Sequence, residues 1–164
     1  MDKIQIYGLI INLIIYFLIT LPIEILSFIN KIYKNQKKFI LVLYLSIIYS
    51  VITSILLYSF PYKIFSIFTS TKGIINYGVY AFKILFISSS LYSIKILIPK
   101  YISCNFKTKK IAIFKISKIA LTILFSIISC LLFNTKGILF TIPIIDFIYS
   151  IIYIFLLFKN IKSI

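Results

Sequence analysis

The chain reads as an all-α integral membrane protein with about five transmembrane helices. Three observations predict this class. Hydrophobic residues make up 62% of its 164 residues, against roughly 45–50% in ordinary soluble domains. Its mean hydropathy is +1.12. The apolar residues also fall into runs of the length needed to cross a hydrocarbon core, about 20 residues, with lysines gathered between the runs.

Five such runs are expected as spans: Ile6–Ile29, Phe39–Pro61, Gly78–Pro99, Ile111–Phe133 and Gly137–Phe158. The first carries Pro22, which lacks an N–H and so frees a backbone carbonyl, and it also carries Glu24. The second is almost uniformly apolar and ends at Pro61. The third contains Lys83, Lys95 and the segment "SSSLYS", Ser88–Ser93. Small hydroxyl residues at that depth suit close helix packing or the wall of a polar cavity. The fourth follows a basic loop and includes Lys115 and Lys118, and the fifth holds Pro143 and Asp146. No linker is long enough to divide the chain, so residues 1–164 are read as one transmembrane domain.

Charge sets the expected orientation. The segments Asn30–Lys38 and Lys100–Lys110, with Lys115, Lys118 and the C-terminal tail, hold twelve lysines. The opposite side holds Lys3, Lys63, Lys72 and Lys136, with Lys83 and Lys95 set aside as tethered interfacial residues. Positive charge stays on the cytoplasmic side. The N-terminus is therefore expected outside a cell membrane, the C-terminus in the cytoplasm, and no cleaved signal peptide is expected.

Composition also excludes functions. The formal charge is +15, but the lysines flank apolar runs instead of lining one polar face, so nucleic acid is not the expected partner. The lipid bilayer is. There is no His, which removes the commonest general base and zinc ligand. Cys104 and Cys130 fit no metal spacing. No enzyme activity, cofactor or metal site is expected. The absence of Arg goes with heavy use of Ile, Lys, Phe, Tyr and Asn and reflects codon bias. That bias weakens any reading of Tyr44, Tyr49, Tyr92 and Tyr149 as stacking platforms for a flat cation, and of Tyr7, Tyr62, Tyr77 and Tyr101 as interfacial anchors.

Four ionisable residues inside the spans are the candidate site: Asp146, Lys118, Glu24 and Lys95. An Asp at a helix centre costs about 2.5–3.5 kcal/mol to insert. Counted from Gly137, Asp146 lies about 13–14 Å deep at 1.5 Å per residue, and Lys118 lies about 10–11 Å from the other surface. Those depths make Lys118 the expected partner of Asp146, since a pair keeps both groups charged. Hydroxyl bonding that only fixes packing is one alternative, and a proton or cation relay is the other. The same count puts Glu24 and Lys95 at matching depth, which predicts a second pair or, alternatively, a wet inner vestibule around Glu24.

The order of these features resembles the C-terminal lobe of the multidrug and toxic compound extrusion (MATE) transporters. "FSIFTSTKGIINYGVYAFKILFIS", with Ile67, Phe68, Thr69 and Lys83, is similar to that lobe's external loop and following helix. "KTKKIAIFKISK" resembles the basic loop before its penultimate helix. "KGILFTIPIIDF" resembles the entry to its last helix, with Pro143 and Asp146 in place, and "INKIYKNQKKF" lies where the family has a basic Asn-aromatic-Gly-Ala loop. Ile32 and Tyr33 replace that Gly and Ala, and the Gly expected near Asn105–Phe106 is absent. The resemblance implies the last five helices of a twelve-helix fold. It also implies cation-coupled antiport of small organic cations by alternating access, with Na⁺ or H⁺ as coupling ion and a separate N-terminal lobe, or another membrane subunit, as partner. No coupling carboxylate carries over onto the third helix. A lipid-linked oligosaccharide flippase of the same superfamily, a non-transporting membrane subunit and an inactive remnant of a split gene are the alternatives.

Overall fold

The computed structural model describes residues 11, 13–105 and 109–161. The expected start of the first span at Ile6, Tyr7, Lys107 and Lys162 lie outside the described residues. Every described element is helical: α1 (Leu13–Ser27), α2 (Asn30–Tyr33), α3 (Gln36–Ser59), α4 (Pro61–Phe68), α5 (Lys72–Ser90), α6 (Tyr92–Asn105) and the helical hairpin α7 (Lys109–Ile161). Four stretches are long and apolar enough to cross a membrane: α3, the continuous α5–α6 rod, and the two arms of α7, α7a (Ala112–Phe133) and α7b (Gly137–Lys159). With the shorter α1, the chain is an all-α membrane protein of about five helices.

The bundle buries an apolar core, yet its outer surface is apolar as well. Along α3 the buried face is Phe39, Leu43, Ser46, Ser50, Ser54 and Leu57, at steps of three and four. The exposed face of the same helix is Leu41, Tyr44, Leu45, Ile48, Ile52 and Ile55. Serines fill the middle of the buried face between Leu43 and Leu57, and large apolar side chains cover the outer face, the pattern expected of close-packed helices in hydrocarbon. Asn35 starts α3: its extended backbone lets Oδ1 accept from the Lys38 N–H at 3.2 Å. Pro61, whose missing N–H costs nothing at a helix start, opens α4 where a loop was expected.

The α5–α6 rod is the centre, with α3 on one side, α7 on the other and α1 against α6. It runs from Lys72 to Asn105, well past the expected Gly78–Pro99. Two close approaches set its neighbours. A Cβ on Gly78 would come 2.6 Å from the fully buried Phe65 ring of α4. Serine then meets serine across α3 and the rod: Ser50 Oγ to Ser93 Oγ at 2.5 Å and Ser54 Oγ to Ser89 Oγ at 2.9 Å. The hydroxyls of "SSSLYS" therefore mostly pack helices together. Farther along, Phe39 stacks on Tyr101 with ring centroids 3.9 Å apart. Tyr33 of α2 is buried beside them, and that burial outweighs the nearby Ser27 hydroxyl and pushes its phenol up to about 12.

Pro22 reshapes α1. In an α-helix the Leu18 carbonyl would accept from residue 22, where proline has no N–H. The backbone widens into a π-turn over Tyr16–Thr20, and the Tyr49 hydroxyl of α3 donates to the Leu18 oxygen at 2.7 Å. Tyr49, weighed above as a cation platform, is a cap for that carbonyl. Pro99 and Pro143 lie inside helices that continue past them.

Candidate functional site

Residues from α5, α6 and both arms of α7 converge in the bundle interior. The hairpin of α7 comes first. Its two arms run antiparallel, with Thr141 Oγ1 donating to Ser129 Oγ at 3.0 Å and Ser117 Oγ 2.9 Å from Tyr149 Oη. Gly137 permits the reversal, because a Cβ there would collide with the Ser129 carbonyl oxygen. That pairing brings Lys118 of α7a opposite Asp146 of α7b.

The rod supplies the rest. Ser89 and Ser90 donate to the carbonyls of Phe86 and Ile87 at 2.8 Å, and such back-bonding bends helices. The break falls at Leu91, whose N–H reaches back to the Ser88 carbonyl. Ser88 turns its own hydroxyl toward the next helix and donates to Asp146 Oδ2.

The resulting cluster holds three charges. Lys95 Nζ is 2.6 Å from Asp146 Oδ2, and Lys118 Nζ is 2.7 Å from Oδ1. Side-chain exposure is 7% for Asp146, 10% for Lys95 and 26% for Lys118. Lys95 also donates to Ser88 Oγ at 3.3 Å and lies 4.1 Å above the Tyr92 ring. Both carboxylate oxygens are occupied by ammonium groups, so the cluster cross-links three helices and carries a net charge of +1.

The Asp146–Lys118 pair forms as the depth count expected. The Glu24–Lys95 pair does not: Lys95 turns inward to Asp146, and Glu24 makes no ion pair among the described residues. The reason is helix length. Because α6 continues to Asn105, Lys95 lies about 15 Å from its end at 1.5 Å per residue, at the depth of Asp146 instead of one turn from the surface. Glu24 and Lys95 do share one cavity of about 490 Å³, together with Lys100 and Lys115. Lys83 lies apart, exposed, 5.6 Å over the Tyr58 ring. Ser88 belongs to the hydroxyl segment singled out above but was not tied to Asp146 by number, and the Ser46–Ser50–Ser54 stripe was not anticipated. The four-residue spacing of small residues on α3 was the available signal.

Among the described residues, no group of three His, Cys, Asp or Glu side chains could hold a metal ion, and Cys104 and Cys130 are free and exposed. No family model, curated protein or solved structure matches the chain.

Proposed function

We propose that this chain is a non-enzymatic membrane transport protein of the cell membrane, resembling the C-terminal lobe of a MATE exporter and working with a second lobe. In that reading the C-terminus is cytoplasmic, and an ion gradient of Na⁺ or H⁺ drives export of small organic cations. The observation that supports it is the Lys95–Asp146–Lys118 cluster. It ties the α5–α6 rod to both arms of α7, so that these helices move as one body, as rocking of a lobe requires.

A second reading is favoured by the same cluster's saturation. Asp146 has both oxygens engaged by ammonium groups and Ser88 besides. A carboxylate so held is suited to packing, which is what a non-transporting membrane subunit needs.

Reconstitution separates the two. Liposomes containing the chain alone, under an imposed Na⁺ or proton gradient, are expected not to export a fluorescent organic cation. Liposomes with a complementary lobe are expected to do so. Efflux by the chain alone refutes the two-lobe arrangement. If every folded combination is inert, the chain is not a transporter. Loss of coupled efflux in Asp146→Asn with insertion and abundance intact would show a relay role beyond packing.

A further inference from the structure

The cavity beside the cluster has a charge the ion pairs do not explain. It lies where α1 and α6 end and α7a begins, next to the lysine-rich segments. Lys95, Lys100 and Lys115 line it, against the single carboxylate of Glu24. The lining therefore carries +2. Behind it, Asp146 and Lys118 cancel each other and contribute nothing more.

The donors are also in place. Lys100 Nζ gives one hydrogen bond to Ser27 Oγ at 3.1 Å, rests 4.4 Å over the Phe28 ring and 6.0 Å from the Tyr33 ring, and makes no other hydrogen bond among the described residues. Lys115 is exposed and bonds no protein group among the described residues. The hydroxyls of Ser27 and Ser103 are spent on backbone carbonyls, which leaves ammonium groups as the site's donors. Phe28, Ile96 and Pro99 give the cavity an apolar wall.

We propose that this cavity binds a phosphate-bearing anion with an apolar attachment. A phosphate monoester carries about −1.5 to −2 at pH 7, which matches the +2 surplus, and lysines bind phosphate as point charges. The volume of about 490 Å³ holds the phosphate and the first atoms of what it is attached to. The source is either the headgroup of an anionic lipid, for which basic pockets between helices are suited, or a water-soluble organophosphate. This inference needs only the membrane bundle and not the transport reading.

The test uses the full chain in phosphatidylcholine nanodiscs, in two arms. In one, phosphatidic acid is titrated into the bilayer. In the other, radiolabelled hexyl phosphate is added in solution. Saturable, salt-sensitive binding is expected in at least one arm, and the arm that binds names the source. Lys100→Gln and Lys115→Gln should each weaken it about fivefold, the effect of one lysine near an anionic headgroup. Glu24→Gln should strengthen it by a similar factor. Lys63→Gln, on α4 at the other end of the bundle, should leave it unchanged. No saturable binding in either arm overturns the proposal, as does an equal loss in Lys63→Gln. If the lysine variants do not fold, failure of Glu24→Gln to tighten binding overturns it as well.

Discussion

Replacing Tyr49 with Phe removes one oxygen, the one that donates to the Leu18 carbonyl at 2.7 Å. That carbonyl needs an outside donor because Pro22 cannot supply the N–H four residues on. Interhelical hydrogen bonds of this kind in membrane proteins average about 0.6 kcal/mol and reach about 1.7. A carbonyl facing hydrocarbon has no water to fall back on, so Tyr49→Phe should fall in the upper half of that range, about 1–1.5 kcal/mol. The assay is unfolding of the purified chain in mixed micelles by added SDS, followed by circular dichroism. The decisive comparison is with Pro22→Ala, which restores the missing N–H. In that background Tyr49→Phe should cost less than about half as much, because the helix then satisfies Leu18 itself. An equal cost in both backgrounds refutes the link between Pro22 and Tyr49.

Further perturbations probe other contacts. Gly78→Ala forces a Cβ against the buried Phe65 ring and should cost about 1–3 kcal/mol, as overpacking does, with Phe65→Leu relieving it. SDS unfolding of the single and double variants checks both. Gly137→Ala meets the Ser129 backbone carbonyl, which no side-chain change can move. It should therefore be the more damaging of the two in the same assay, and Phe65→Leu should not rescue it. Topology is checked by an impermeant thiol reagent on intact cells. Native Cys104 should stay unlabelled, and a cysteine at Thr71 should react. Labelling of Cys104 reverses the proposed orientation.

How much of this was legible in the sequence varies with the physics involved. The long apolar runs that became α3, α7a and α7b were legible because length and hydropathy alone decide a span. The rod was underestimated at both ends. Lys72 and Lys100 read as loop markers, yet lysines extend a helix past the hydrocarbon edge by reaching outward. Pro99 read as a stop but lies inside α6. The Asp146–Lys118 contact was legible because the two depths, counted from their span ends, nearly coincide. Lys95 was assigned to Glu24 because its depth was counted from Pro99, whereas the helix runs on to Asn105. The serine stripe of α3 was hidden by the abundance of serine, and Ser88 was legible only as one hydroxyl of its segment. Which hydroxyl donates to which oxygen depends on the bend at Leu91, a tertiary feature that spacing does not record.

Asp146 holds two lysines in the bundle interior, and a mutant cycle on SDS-induced unfolding probes that arrangement. Removing one partner of a buried pair costs about 3–5 kcal/mol because a charge is left without its counterpart. Asp146→Asn strands two ammonium groups. Lys118, 26% exposed, relaxes toward the surface, whereas Lys95, at 10%, does not. Lys95→Met leaves the neutral Asp146–Lys118 pair and should cost clearly less than Asp146→Asn. Asp146→Asn/Lys95→Met should be more stable than Asp146→Asn alone, since the second change removes the stranded charge. A double variant as unstable as the sum of its single changes would contradict it.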